Sequence, residues 1–217
     1  AKESVLPHSS TVSFLSYWRG LQIRPDKAPS REHFDPTHLK SLMPQMVMLS
    51  TTSAGLTDQQ GVNHSFRVAG DYLYGLHGIE LKNKAFTTLF HSRFTDTVLT
   101  ALVLARRREQ ALILTVSAPW IVQNQNMTPD EAYLFQNETL RFEICLCPVT
   151  NAYGKVDRMV GIYQNLNALS QNAPGKLGRY KLEATRLYEP ERMDNAPAVV
   201  VRPTRLQLVA VEGRRIA

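Results

Sequence analysis

Hydrophobic positions recur at two spacings along the chain, and each spacing predicts a kind of element. The first helical stripe follows possible N-caps at residues 9–11 and predicts a short amphipathic helix. Its members are Val12, Leu15, Trp18 and Leu21. The longest stripe predicts a helix over about residues 93–108. Its members are Phe94, Val98, Leu99, Leu102 and Ala105.

Apolar runs with alternating or continuous character predict five strands. They cover residues 46–49, 66–70, 111–116, 139–149 and 155–166. The turn residues at 151–154 join the last two strands as a hairpin. Asp35 and Pro36 start a short helical turn, and Asp71 is placed to cap another. This order predicts an α+β fold in which helices cover one face of an antiparallel sheet.

The pattern divides the chain into three parts. Residues 1–44 are predicted as an N-terminal helix with an irregular lead-in, 45–169 as the core, and 170–217 as a C-terminal extension. Residues 180–188 and 206–211 have strand character, but the pattern leaves open whether either segment joins the sheet.

The amino-acid composition is typical of a globular domain that folds in aqueous solution. Hydrophobic residues make up 43% of the chain and charged residues 20%, which suffices for a core. No apolar run reaches the roughly 18 residues needed to cross a bilayer, and the N-terminus lacks the apolar stretch of a secretory signal. We expect a soluble cytoplasmic protein in which Cys145 and Cys147 are reduced thiols on one face of a strand.

The net charge of +6 raises the question of an anionic partner. Basic residues are spread along the chain, and the tightest run is Arg106, Arg107 and Arg108 at the end of the long predicted helix. Guanidinium groups bind phosphate in bidentate fashion, so these three residues are a candidate anion site. The alternative interpretation is a solvated helix end whose positive charges complement the helix dipole. Without a zinc, recognition-helix or RNA-platform pattern, nucleic acid is not the expected partner.

Three pieces of the chain, taken in order, resemble a bacterial family of PAS-like sensor proteins. The first is Tyr17-Trp18-Arg19 followed by Pro29-Ser30-Arg31, Phe34-Asp35-Pro36 and Leu42-Met43-Pro44. The second is Phe66-Arg67-Val68-Ala69-Gly70 with Leu76 and Gly78 after it. The third is Leu146-Cys147-Pro148-Val149, then Gly154, Val156-Asp157-Arg158 and Gly161.

The resemblance implies a PAS-like five-stranded antiparallel sheet with helices over one face and a pocket between them. Such a pocket holds haem, flavin, a small metabolite or only core side chains, so the cofactor stays unknown. Neither cysteine lies in the helical Asn-Cys-Arg context of a photoactive flavin site. The candidate pocket residues are Val47, Phe66, Val68, His77, His91, Phe94, Leu114, Ile144 and Val160, of which the two histidines are the candidate haem ligands.

Tyr17, Trp18 and Arg19 have two interpretations. As aromatic and arginine anchors they would cap the cavity or form a dimer face, which predicts a homodimer. Alternatively, the Trp18 ring covers the sheet while Arg19 pairs with a carboxylate such as Asp35.

Motifs for chemistry are missing from the sequence. There is no nucleophile elbow, phosphate loop, paired carboxylates or set of four zinc ligands, so we assign no catalytic residue and no metal. The expected function is a non-catalytic bacterial signal-transduction domain that binds a small ligand or a signalling protein and transmits by changed protein contacts. Two alternatives remain: a cyclic-nucleotide or nucleic-acid binder that uses the basic clusters, and an enzyme of α+β fold.

Overall fold

The structure, a computed structural model, describes residues 7–51, 64–122, 138–168 and 175–188. Its helices are α1 (Ser9–Gly20), α2 (Asp71–His77) and α3 (Ser92–Arg108), and short 3-10 segments cover Arg31–His33, Pro36–Gln45 and Phe86–Leu89. Its strands are β1 (Met46–Ser50), β2 (Ser65–Ala69), β3 (Ala111–Val122), β4 (Thr139–Thr150), β5 (Val156–Asn165), β6 (Gly175–Leu177) and β7 (Lys181–Tyr188). The predicted strand at 206–211 lies outside the described residues.

Five strands form the predicted antiparallel sheet in the spatial order β2-β1-β5-β4-β3. The hairpin between β4 and β5 turns at Gly154, whose φ of 71° lies in the left-handed region that favours glycine. Next to it, the Asn151 carboxamide oxygen accepts the amide hydrogens of Tyr153 and Lys155, which fixes the turn. The α+β prediction and the five-stranded sheet are confirmed.

The C-terminal segment adds to this sheet. β7 pairs antiparallel with β3 from Ala111 opposite Tyr188 to Ser117 opposite Lys181, and β6 pairs with the far end of β3. The first part of the predicted extension is therefore continuous with the core. This answers the question that the pattern left open for residues 180–188.

Alternation along the strands gives the sheet two buried faces. On β4, Phe142, Ile144 and Leu146 point to one side, which we call the inner face, and α2 and α3 pack there. Cys145 and Cys147 point to the other side, the outer face, which α1 covers. The predicted single helical layer is therefore joined by a second layer on the opposite face. Both faces of β4 and β5 are buried because helices cover both sides of the sheet.

The helix α1 uses a different stripe from the predicted one. Its buried residues are Thr11, Phe14, Leu15 and Trp18, whereas Val12 and Leu21 are half-exposed. Its N-cap is His8, whose Nδ1 accepts the Ser10 amide hydrogen at 3.2 Å, and not one of residues 9–11. The stripe turns by one position because burial of the Phe14 ring removes more apolar surface than burial of Val12.

The helix α3 matches its prediction to within one residue at each end. Phe94, Val98, Leu102 and Ala105 are its buried stripe. Glu109 ends the helix with a left-handed φ of 55°, and its carboxylate accepts the Ala28 amide hydrogen at 2.8 Å. The end of α3 thus holds the irregular lead-in against the domain. None of the described helices is both long and apolar enough to span a membrane.

Candidate functional site

An aromatic cluster fills the layer between the inner face and the helices. Tyr180 stands at its centre. Ring centroids of Phe90, His77, Phe142 and Tyr163 lie 5.3, 5.6, 6.2 and 6.4 Å from the Tyr180 centroid. All five side chains are buried, and most pairs meet edge-on or tilted, as aromatic quadrupoles prefer. We call these five residues the aromatic cluster.

Three separate parts of the chain position this cluster. His77 is the last residue of α2, which ends there because Gly78 adopts a left-handed φ of 62°. The Tyr180 amide donates to the Leu89 carbonyl at 2.7 Å, and the His91 amide donates to the Tyr180 carbonyl at 3.0 Å. These two bonds attach the residue before β7 to the residues that lead into α3. The site therefore depends on the C-terminal strand as well as on the predicted core.

One polar pair lies inside the cluster. His77 Nε2 and the Tyr180 hydroxyl are 2.9 Å apart. Burial lowers the pKa of His77 to about 4, so the imidazole is neutral at pH 7. Burial raises the pKa of Tyr180 well above its usual range, and the neighbouring Tyr163 raises it further, so both phenols keep their protons. The cluster carries no net charge.

The Tyr163 hydroxyl is the unsatisfied group of the site. It is buried and makes no hydrogen bond of standard geometry among the described residues, although the Tyr180 hydroxyl lies close enough to lower its pKa against the larger effect of burial. Burial raises the pKa of this phenol, which remains a neutral donor. Leaving a buried hydroxyl unpaired costs about 1–3 kcal/mol, so a group that accepts from it would be stabilised there.

The predicted pocket residues fall into two groups. Five of them lie together in the inner core that surrounds the aromatic cluster. These are Val47, Phe66, Phe94, Leu114 and Ile144. The histidines separate: His77 belongs to the cluster, whereas the side chain of His91 is exposed just before α3. Of the two candidate haem ligands, only His77 faces the core.

Val68 and Val160 lie away from this pocket. Val160 is buried on the outer face, against the core of α1. Val68 is 54% exposed, because the register of β2 against β1 shifts between Phe66, opposite Leu49, and Val68, opposite Met48. One extra residue in a strand turns every later side chain to the other face. The spacing of two residues that placed Phe66 and Val68 together does not hold across this bulge.

At α1, the structure separates the three predicted interface residues. Trp18 is only 2% exposed, and its indole N–H donates to the Pro148 carbonyl at 2.8 Å. The Tyr17 hydroxyl donates to the Asp35 carbonyl at 2.8 Å, and the Arg19 guanidinium lies 5.9 Å from the centroid of the Tyr188 ring. Trp18 therefore covers the sheet, and an interface formed by this helix would use its half-exposed neighbours.

Arg106, Arg107 and Arg108 form the last turn of α3. Arg107 and Arg108 are exposed, whereas Arg106 is half-buried and its Nε lacks a partner among the described residues. Partial burial and the adjacent Arg107 lower the pKa of Arg106. The arginines lie at the negative end of the helix dipole, which opposes binding of an anion there. Their role in anion binding stays a prediction.

Cys145 and Cys147 are free thiols on the outer face, buried, with their Sγ atoms 3.8 Å apart. Burial raises the pKa of Cys147, so its thiol is protonated. In the part of the chain that the structure describes, no three side chains of the metal-binding types come together. Both thiols act as small apolar core groups under α1.

Sequence reasoning identified His77 but missed Tyr163 and Tyr180. Tyr163 continues the inner row of β5, a position that alternation from Met159 would have assigned to the core. Tyr180 starts the segment with predicted strand character, but nothing in the sequence indicated which face or partner it meets. It precedes a strand whose partner, β3, lies more than sixty positions earlier in the chain.

Among the comparisons with known proteins, the family comparison gives a match over most of the chain. The model of the PAS domain matches residues 6–164. Among solved structures, an RNA-binding light-oxygen-voltage receptor is similar, with 12% sequence identity and a TM-score of 0.35 over 76% of this chain and 35% of that one. The chain thus spans about a third of that receptor's length. No curated protein matches. Since the family match covers most of the chain and ends within the last of the five sheet strands, this chain belongs to the PAS domain family, a family of sensory domains.

Proposed function

We propose that this domain is a non-catalytic sensor that holds a small flat molecule at the aromatic cluster and transmits by changed protein contacts. The carrying observation is the buried, unpaired Tyr163 hydroxyl beside the His77–Tyr180 pair. A protein that keeps an unsatisfied donor in an apolar layer gains stability from a ligand that accepts its hydrogen bond.

The chemistry of the cluster restricts the class of ligand. The surrounding rings favour an aromatic or heteroaromatic body, because edge-on ring contacts add to the apolar area that is buried. His77 and the two phenols are neutral, so a charged group placed among them would lose its hydration without compensation. We therefore propose a neutral ring system with one hydrogen-bond acceptor at its edge.

Entry of such a molecule requires one ring to move. The cluster is filled by its own side chains, and the Phe90 and Tyr180 rings, 5.3 Å apart, belong to the two segments that are joined by the Leu89–Tyr180 and His91–Tyr180 backbone bonds. Displacement of either ring changes the backbone contacts of its neighbours. A change of contacts is what a sensor without catalytic residues needs to pass a signal.

Native mass spectrometry and an absorption spectrum of the purified protein test this proposal, followed by thermal shift against riboflavin, adenine and indole. We expect a bound species of small mass or a rise in melting temperature with at least one neutral ring compound. Tyr163→Phe should reduce that rise because it removes the donor. Tyr153→Phe is the matched control, since Tyr153 is 93% exposed in the hairpin turn. Absence of a bound species together with flat thermal shifts would overturn the ligand assignment.

The output that we propose is a contact with a signalling protein or with a second copy of the chain. Tyr17 and Arg19 are half-exposed on α1 and remain the proposed contact residues. Light scattering at micromolar concentration tests the homodimer directly. A monomeric mass would contradict it and leave a separate protein as the partner.

A further inference from the structure

Strand β7 touches both faces of the sheet, although the family match ends before it, at residue 164. Tyr180, the residue before its start, belongs to the aromatic cluster on the inner face, and its last residue contacts α1 on the outer face. The two sets of contacts are separated by the length of one strand, which has eight residues. Such a strand is placed to link the buried site to α1.

The inner contacts begin at Tyr180, immediately before β7. Its hydroxyl pairs with His77, and its backbone pairs with Leu89 and His91. Leu182 continues on the same side, buried opposite Val116. Any shift of the Tyr180 ring therefore acts on the beginning of β7.

The outer contacts lie at the other end of the strand. Arg186 Nη2 is 3.5 Å from Glu143 Oε2, and the other oxygen of that buried carboxylate accepts the His8 amide hydrogen at 2.8 Å. Since His8 caps α1, Glu143 joins β7 to the first turn of that helix. At the last turn, the Arg19 guanidinium lies over the Tyr188 ring. Thus β7 supports both ends of α1.

The pairing of β7 allows the strand to shift. Among the described strands, β7 pairs only with β3, so it can shift without breaking a second ladder. The register between them changes at Thr115 and Val116, which places Glu183 in a bulge. The Arg141 guanidinium holds the Glu183 carboxylate from outside, with its nearest nitrogen at 2.7 Å. The bulge separates the inner-site end of the strand from the α1 end.

We infer that β7 couples the state of the aromatic cluster to the docking of α1, so that displacement of Tyr180 loosens the helix from the outer face. This inference rests on the proposed function, for which it supplies the route from site to surface. The coupling is reciprocal, because two sites that bias one element bias each other equally. Loosening α1 therefore also loosens the contacts of Tyr180.

Hydrogen exchange of the full chain, without any ligand, tests the coupling. Tyr180→Phe removes the bond to His77 and should speed exchange of the α1 amides roughly two- to tenfold. Arg186→Gln tests the coupling in the reverse direction, from α1 to the cluster, and should speed exchange of the His91 and Tyr180 amides. The amides of Cys145 and Cys147, in the central strand β4, report global unfolding, and the increase in α1 exchange should exceed any increase at these two amides.

Tyr163→Phe is the matched control. It alters the same cluster from β5 and removes a hydroxyl that makes no hydrogen bond of standard geometry, while the His77–Tyr180 bond stays, so α1 exchange should change far less than in Tyr180→Phe. If Tyr180→Phe does not fold, His77→Asn removes the same imidazole bond and leaves the sequence around β7 unchanged. Equal effects of the two tyrosine variants on α1, or unchanged α1 exchange with faster exchange in α2, would overturn the coupling. A failed ligand screen with a positive exchange result rejects only the ligand, and ligand binding without an α1 response rejects only the coupling.

Discussion

His77 Nε2 lies 2.9 Å from the Tyr180 hydroxyl, although 103 positions separate the two residues in sequence. The pair joins the end of α2 to the residue before β7, inside an otherwise apolar layer. A neutral imidazole is required there, because a charged one would be buried without a counter-ion. That requirement makes the stability of the domain depend on pH.

Acid should destabilise the domain through His77. Its pKa is lowered to about 4 in the fold from 6.5 in the unfolded chain, so between these values only the unfolded chain binds the proton. The contribution of the neutral His77 to the free energy of unfolding is therefore fully present above pH 6.5. It falls by up to about 3 kcal/mol as the pH drops towards 4. Urea unfolding at intervals from pH 7 to 5 measures the slope. His77→Asn should flatten it, and an unchanged slope in that variant would assign the effect to other groups.

Gly161 is expected to tolerate no side chain. It lies on β5 opposite Leu146, and an added Cβ would collide with the Cys145 carbonyl oxygen and come within 2.8 Å of the Leu146 side chain. Gly161→Ala should lower the free energy of unfolding by about 2–3 kcal/mol, because two central strands would have to separate. Urea denaturation gives the value.

Gly75→Ala is the control for that substitution. Gly75 lies within α2, and nothing comes within 4 Å of an added Cβ. Alanine favours a helix over glycine, so this variant should be unchanged or more stable by up to about 1 kcal/mol. Equal losses in both variants would show that the close approach at Gly161 does not matter.

Glu143→Gln should weaken the attachment of α1. The substitution keeps an acceptor for the His8 amide but leaves the Arg186 guanidinium without its buried counter-charge. Loss of one partner from a buried ion pair commonly costs about 3 kcal/mol, and equilibrium unfolding measures it. Asp26→Asn removes a carboxylate from the exposed Arg24–Asp26 pair and should leave stability unchanged. A loss at Glu143 no larger than at Asp26 would contradict the role of this carboxylate.

Trp18→Phe should destabilise the domain because it removes one buried hydrogen bond and leaves unfilled space beside the smaller ring. The ring stays apolar, but the Pro148 carbonyl loses its indole donor in a buried position. We expect a decrease of about 1–2 kcal/mol in the free energy of unfolding. Tyr153→Phe is an exposed aromatic control. An unchanged free energy of unfolding in Trp18→Phe would contradict this role of the indole donor.

Local patterns predicted elements well where an element's own residues determine it. The stripe from Phe94 to Ala105 predicted α3, since a helix closes its hydrogen bonds within itself and buries one face. The alternation of Phe142, Ile144 and Leu146 predicted their shared face for the same reason of local geometry. Both predictions hold in the structure.

Prediction failed where a distant partner decides the outcome. Val68 turned outward because of a bulge against β1, and α1 presents Phe14 because of what the outer face offers it. A strand's register is decided by its partner and by bulges, which its own alternation does not record. For the site, His77 was within reach of the sequence, whereas Tyr180 was not.

The sequence by itself determined the class of this protein: the helix and strand order, the ordered motif pieces of a PAS-like domain and most of the inner core. Only the tertiary structure decided how Tyr180 meets His77, and that side chains of β7 contact Glu143 and Arg19 on the outer face. The physical reason is the sequence separation of the interacting residues. Periodicity reports which side of an element is buried, but which elements face each other depends on chain crossings that bring residues 103 positions apart within hydrogen-bond distance.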